Sequence, residues 1–140
     1  MPSRPHPLYL GFVIMVILGL AHAAALSFYL YWSYWWFDWV MHSLMGLAIG
    51  LVVYWAIFDL SGPLRLRPKS LLTPFLVIFL TLITIGVAWE IFEYVLGLTD
   101  SYEASYALDV INDLLADSIG AILAAFIGIK HTSLSTSRFQ

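Results

Sequence analysis

The chain has 140 residues, of which 61% are hydrophobic and only 11% are charged, and its formal net charge is −3. Soluble domains carry about 25% charged residues, and disordered chains are poor in aromatic residues, which make up 16% of this chain. Both classes are therefore excluded. The absence of cysteine excludes disulfides and thiolate metal ligands. The length suits one domain, and the composition places that domain in a membrane.

Four apolar runs of about 20 or more residues divide the chain. At ~1.5 Å rise per residue, each run is long enough to cross a ~30 Å hydrocarbon core as a helix. None alternates polar and apolar residues as the strands of a membrane barrel do. The sequence therefore predicts an all-α integral membrane protein, a four-transmembrane-helix bundle in a single domain of residues 1–140, with helices over about 8–30, 38–59, 71–97 and 107–129.

The basic residues indicate the orientation of this bundle. All the lysines and arginines fall in the N-terminus, in the loop between the second and third predicted helices, or near the C-terminus: Arg4, Arg65, Arg67, Lys69, Lys130 and Arg138. With four spans these segments share one side of the membrane, and the positive-inside rule makes that side the cytoplasm. We therefore expect a multi-pass protein with both termini in the cytoplasm.

The first apolar run has an alternative interpretation as a cleavable signal peptide. Arg4, the apolar run and the small-residue motif Ala21-His22-Ala23 fit such a peptide, and cleavage would leave Ala24 as the first residue. Because apolar residues continue through Leu30, we expect an uncleaved first span.

The acidic residues have the opposite distribution, since only Asp59 falls on the basic side. At ~1.5 Å per residue, five ionisable side chains of the last three predicted helices lie about 6–15 Å from the outer helix ends. These are His42, Glu90, Glu93, Asp113 and Asp117. We expect them to form one layer.

Small residues share helix faces with these polar side chains. Asp38 and His42 lie one turn apart, and Gly46 and Gly50 continue the same stripe. On the last predicted helix, Asp109, Asp113 and Asp117 are also spaced by one turn, and Gly120, Ala121, Ala124, Ala125 and Gly128 follow them. Small residues let membrane helices approach closely, so these faces are predicted to point into the bundle.

Crowded carboxylates in a low dielectric are costly, and no lysine or arginine on this side offsets them. Shared protons, a bound cation or a water-filled cavity would each reduce the cost. We expect a divalent metal ion, because bundle cores commonly bind metals through carboxylates and histidine from facing helices. The expected ligands are His42, Glu90, Glu93, Asp113 and Asp117. Further ligands or outer partners are expected at Asp38, Asp109, His22 and Asn112. Carboxylate-rich ligation favours Mg, Mn, Fe or Zn over Cu.

Several of these residues also have structural interpretations. The acidic side chains can accept structural hydrogen bonds, and Asp38 or Asp109 can stabilise the first turn of a helix. His22 can bond a backbone carbonyl or ligate a tetrapyrrole. We expect Asp59 to pair with Arg65 or Arg67, whereas His6 and His131 belong to no motif.

Three motifs together resemble a known family. They are Asp38-x3-His42-x3-Gly46, Trp89-Glu90-x2-Glu93, and Asp109-x3-Asp113-x3-Asp117-x2-Gly120. The pattern is similar to that of the YjdF-type small multispanning proteins of the bacterial inner membrane, and more loosely to that of VanZ-type membrane proteins. The resemblance implies a bacterial inner-membrane location and implies that these acids and His42 act as one set. It implies no particular reaction.

Three functions are compatible with this pattern. The first is a metal-dependent hydrolase, with His42 and Glu90 in catalysis, acting on a lipid or another amphiphile from the outer leaflet. The second is a cation or proton transporter, which is disfavoured by the apolar cytoplasmic helix halves. The third is a non-catalytic subunit of a membrane complex that binds pigment or haem through His22. The lipid bilayer is the expected environment, and a second copy or another membrane subunit is a possible partner. The dispersed basic residues exclude nucleic-acid binding.

Overall fold

The computed structural model describes residues 6–59, 68, 70–96 and 106–136, with the side chains of residues 89, 90, 93, 94, 106, 109 and 133–136 excepted. Every regular element in these ranges is helical. The elements are α1 (Pro7–Ser27), α2 (Leu30–Ser33), α3 (Phe37–Tyr54), α4 (Leu72–Leu96) and α5 (Tyr106–Thr136), with one π-helical turn (Trp55–Asp59) directly after α3.

The helices have the length and composition of membrane spans. Three segments are long and apolar enough to cross a bilayer, namely Pro7–Ser27, Phe37–Asp59 and Val110–Thr132. The fourth long helix, α4, has 25 residues and includes a shorter apolar stretch, Leu72–Ala88. Large apolar side chains such as Phe12, Leu80 and Phe126 lie exposed on the outside of the bundle, as expected for a surface in contact with lipid. The prediction of an all-helical membrane protein is confirmed to this extent.

Helix α3 lies at the centre of the bundle, where it contacts α1, α4 and α5. The side chains of Leu51, Tyr54 and Ile78 are fully buried in the core, together with Ala121, Ala124 and Ala125 of α5. Tyr54 also hydrogen-bonds through its hydroxyl to the hydroxyl of Thr132 at 3.0 Å. The small residues of α5 therefore face α3 rather than lipid.

The contact between α3 and α5 depends on two glycines. A Cβ atom on Gly120 would overlap the backbone of Ser43 and Leu47, and one on Gly46 would overlap the backbone of Asp117. In a membrane, helix association depends on such close packing rather than on expulsion of water. The close approach brings Asp113 and Asp117 of α5 beside His42 of α3.

The packing contacts also show the directions of the helices. From start to end, α3 meets α5 in the same order, since Gly46 contacts Asp117, Gly50 contacts Ala124 and Tyr54 contacts Gly128. The two helices therefore run parallel. Helix α1 runs antiparallel to α3, because Gly11 near the start of α1 contacts Ala48 in the second half of α3, whereas His22 near the end of α1 lines a cavity with Asp38 at the start of α3.

Candidate metal centre

His42 lies among carboxylates from two parallel helices. Its Nε2 atom is 3.5 Å from Oδ1 of Asp113 and 3.7 Å from Oδ1 of Asp38. Its Nδ1 atom is 3.8 Å from Oδ1 of Asp117. These distances are longer than those of good N–H···O hydrogen bonds, which centre on about 2.9–3.0 Å. The imidazole is therefore near all three carboxylates without being tightly bonded to any of them.

Local helix geometry explains this convergence. Asp38 is one turn before His42 on α3, and Asp113 is one turn before Asp117 on α5, so each pair projects from one face. Asp38 lies in the first turn of α3, whose N-cap residue makes no side-chain capping hydrogen bond. The carboxylate of Asp38 lies 3.7 Å from the ring of His42.

The positive charge of a protonated His42 is too small to balance the negative charges of its three carboxylate neighbours. A protonated imidazole carries one positive charge, whereas three ionised carboxylates carry three negative ones. The Nε2 atom faces both Asp38 and Asp113 but has at most one proton to donate. The sequence has no lysine or arginine between Arg4 and Arg65 or between Lys69 and Lys130, so α3 and the first three-quarters of α5 supply none.

The arrangement is compatible with a shared cation. Asp38, His42 and Asp113 each offer one ligand atom, and these atoms lie within 4.8 Å of one another. Ligand atoms that share an ion at ~2.0–2.2 Å from it lie at most about 4.4 Å apart, so a small inward movement suffices. The Oδ1 atom of Asp117 is buried and accepts no hydrogen bond, which makes it a fourth candidate ligand. Asp38, expected from the sequence as an outer or additional partner, belongs to the central group.

The remaining predicted residues have varied positions. The side chains of Glu90, Glu93 and Asp109 lie outside the described part of the structure, so their roles stay predictions. Asn112 is exposed on α5. His22 on α1 bonds to the hydroxyl of Tyr31 through its Nδ1 atom at 2.7 Å, and not to a backbone carbonyl.

Tyr31 interacts both with His22, through a hydrogen bond, and with the charge of Asp38. It lies in α2, between two membrane-spanning segments. Burial raises the pKa of the Tyr31 hydroxyl above its ordinary value, and the negative charge of Asp38 raises it further. The hydroxyl therefore stays neutral at physiological pH while it is hydrogen-bonded to His22.

Two cavities open on either side of His42. The larger, of about 640 Å³, lies between α1 and α3 and is lined by Met15, Leu18, His22, Tyr31, Asp38 and Met41 in addition to His42. The smaller, of about 350 Å³, lies between α3, α4 and α5 and is lined by Leu82, Ile85, Val110, Asp113 and Asp117 in addition to His42. Met45 also lines both cavities. The polar group thus borders two predominantly apolar spaces.

A second polar group, which the sequence analysis missed, lies at the other end of the bundle. The Oδ2 atom of Asp59 is 3.0 Å from Nε2 of His6 and 3.8 Å from Nδ1 of His131. Arg65 and Arg67, the expected partners of Asp59, lie outside the described residues. The positions of these residues along the helices could have indicated the group, because all three occur at helix ends that the predicted topology places on one side of the membrane.

These features define an all-helical membrane protein with a carboxylate–histidine group at one end of its bundle. Residues 4–133 match the model of a family described as predicted membrane protein (DUF2238), and the chain belongs to this family. It is the family of the YjdF-type proteins, so the resemblance of the sequence to these proteins is confirmed. No curated protein and no solved structure matches the chain significantly.

Proposed function

We propose that this protein binds a divalent metal ion between α3 and α5, through Asp38, His42, Asp113 and Asp117. The observation that carries the proposal is the convergence of ligand atoms from Asp38, His42 and Asp113 within 4.8 Å. A divalent cation offsets the negative charge that His42 cannot balance. One imidazole with several carboxylates suits Mg, Mn, Fe or Zn. Glu90 and Glu93, near the end of α4, are proposed as further ligands.

The proposed topology has four spans, with both termini in the cytoplasm of a bacterial cell. Because α3 and α5 run parallel, the chain that joins them must return across the bundle. Helix α4 lies in that connection, and at ~1.5 Å per residue its 25 residues extend about 37 Å, enough to span a bilayer. The basic residues near Arg65 and Lys130 then face the cytoplasm, and the proposed metal site lies toward the outer surface.

The substrate class that the surroundings favour is a lipid or another amphiphile. An amphiphile needs a polar site for its headgroup and an apolar space for its chain. Here the carboxylate–histidine group borders a cavity of about 640 Å³ that Met15, Leu18 and Met41 help to line. A metal ion at this position would activate water or polarise a phosphoryl or ester oxygen. The site residues would orient the headgroup, and whichever of His42 and Glu90 does not ligate the metal is the expected proton-transferring residue.

Metal binding is tested by elemental analysis of protein purified without chelator and with its affinity tag removed. We expect a stoichiometric divalent metal in the wild type and its loss from this site in Asp113→Asn. Ser118→Ala is the matched control on the same helix, because the Ser118 hydroxyl donates to the carbonyl of Leu114 and takes no part in the group. The proposal would be contradicted if the wild type held no metal above background and the metal content of Glu90→Gln were the same.

Hydrolysis is tested separately. Metal-loaded protein is reconstituted into phosphatidylethanolamine–phosphatidylglycerol vesicles, and released fatty acids and headgroups are measured. We expect release that a chelator stops and that Asp113→Asn lacks. Intact lipids with a metal-loaded wild type would refute lipid hydrolysis for these headgroups while leaving metal binding in place.

A transport function has weaker support than a catalytic metal site. Between the two polar groups, the described part of the bundle is closed by fully buried apolar side chains, including Leu51, Ile78 and Ala121. A cation crossing this layer would lose its hydration without gaining polar ligands there. Uptake of Mn²⁺ by proteoliposomes would revive the transport hypothesis.

A further inference from the structure

The second group of ionisable side chains joins three separate segments of the chain. His6 directly precedes α1, Asp59 ends the π turn after α3, and His131 lies near the end of α5. The carboxylate of Asp59 lies near both imidazoles, at 3.0 Å from His6 and 3.8 Å from His131. The two rings meet edge to face, with their centroids 5.4 Å apart. The group is therefore a carboxylate between two histidines, and its three residues are far apart in the sequence.

Two atoms at the centre of this group are buried without a hydrogen bond. They are Oδ2 of Asp59 and Nδ1 of His131. The 3.0 Å contact with His6 is within ion-pair distance, but it lacks the geometry of a hydrogen bond to this oxygen. The Asp59 side chain is only 12% exposed, so water reaches it poorly. Polar atoms left in this state are costly, and a ligand that accepts electron pairs from both would offset the cost.

We propose that His6, Asp59 and His131 bind a second metal ion, Zn²⁺ or another borderline divalent transition metal. Two imidazoles and one carboxylate form a ligand set that suits such ions better than it suits the harder ions Mg²⁺ and Ca²⁺. This site does not depend on the proposed function of the His42 group, from which it is separated by the apolar core. It differs from that group in having two nitrogen ligands instead of one.

The site requires a movement of the side chains, because the ligand atoms of these three residues do not all lie within 4.8 Å of one another as those of Asp38, His42 and Asp113 do. At ~2.0–2.2 Å from a shared zinc ion, an imidazole nitrogen and a carboxylate oxygen lie at most about 4.3 Å apart, and both distances to Asp59 are within that limit. The two rings must still turn toward each other. His6 has that freedom, because its side chain is 47% exposed and makes no capping hydrogen bond at the start of α1.

A metal at this position would fasten the helix ends. The start of α1, the π turn and the end of α5 would be joined through one ion, at the end of the bundle that the proposed topology assigns to the cytoplasm. Binding free energy would then add to folding stability, since the unfolded chain has no preformed site.

The test measures Zn²⁺ binding to the full-length protein in detergent, after chelator treatment and removal of any affinity tag. In Asp113→Asn, which disables the His42 group, we expect one remaining Zn²⁺ per chain and a rise in melting temperature on adding Zn²⁺. In Asp113→Asn combined with His6→Gln, we expect loss of that ion and of the rise. His6 is the preferred substitution because its exposed ring is not needed for core packing.

Co²⁺ substitution is the second readout. The ion bound by Asp113→Asn should give a visible d–d absorption spectrum that disappears on adding His131→Gln. Equal Zn²⁺ binding with and without His6→Gln and His131→Gln would overturn the proposal, as would the loss of all Zn²⁺ in Asp113→Asn alone. If instead the wild type binds one ion that depends only on His6 and His131, the present proposal stands and metal binding at His42 fails.

Discussion

At the scale of single residues, the charge of Asp38 influences the pKa of Tyr31. Burial is the larger cause of its raised pKa, and the charge of Asp38 is the smaller one. Asp38 is also a proposed metal ligand, at 3.7 Å from His42. Any change that neutralises Asp38 should therefore be detected at Tyr31, outside the membrane-spanning segments.

We predict that Asp38→Asn lowers the pKa of Tyr31 in chelator-treated protein, because it removes the coulombic contribution while burial still holds the pKa above its ordinary value. The measurement is tyrosinate absorbance as a function of pH, with Tyr31 assigned by subtracting the curve of the Tyr31→Phe variant in each background. An unchanged or higher Tyr31 pKa in Asp38→Asn would contradict the prediction.

Metal binding should have the same effect on Tyr31 without a substitution. A divalent ion held by Asp38 offsets the carboxylate charge, so adding Mn²⁺ or Zn²⁺ to the metal-free wild type should lower the Tyr31 pKa. The Asp38→Asn variant serves as the control and should show a smaller shift. Equal shifts in both proteins would mean that the metal acts on Tyr31 by another route.

At the scale of elements, the site depends on how closely α3 and α5 approach. Gly46 and Gly120 each occupy positions where a Cβ atom would overlap the backbone of the facing helix. Gly86 of α4 differs from them, because a Cβ atom there would meet nothing within 4 Å. The chain therefore provides a sensitive glycine and an insensitive one for the same substitution.

We predict that Gly120→Ala destabilises the bundle by about 1–3 kcal/mol, the usual cost of inserting a methyl group into a close-packed contact. It should also weaken metal binding, because α5 carries Asp113 and Asp117. Gly86→Ala should be neutral or slightly stabilising, since alanine favours helix more than glycine does. Unfolding in detergent, followed by circular dichroism, measures both effects. Equal stabilities of the two variants would show that the contact is not a close one.

At the scale of the whole molecule, helix direction connects the packing with the membrane. Parallel α3 and α5 require a returning segment between them, and α4 has the length to be that segment. The start of α3 and the start of α4 should then lie on opposite sides of the bilayer.

This topology predicts the labelling of single cysteines, which is straightforward because the protein has none of its own. In intact cells, a membrane-impermeant maleimide should label Ser33→Cys, which precedes α3. It should label Ser70→Cys, which precedes α4, only after the inner membrane is opened. Both serines are exposed. Labelling of both positions from the same side would contradict four spans.

The sequence by itself determined the helical class and the separation of most acidic residues from the lysines and arginines. Lipid offers no hydrogen-bonding partners to the backbone, so long apolar runs must be helical wherever they pack. The pairing of Asp38 with His42 was also predictable, because one helical turn separates them.

Only the tertiary structure decided which distant side chains meet. The proximity of Asp113 to His42, the cavities on either side of that ring, and the approach of His6 and His131 to Asp59 all depend on helix rotation and register. Those are set by interhelical contacts such as Gly120 against Ser43 and by the π turn Trp55–Asp59, which ends in Asp59. Local composition determines the secondary structure of a segment in a membrane, whereas contacts between segments determine which of its side chains meet those of its neighbours.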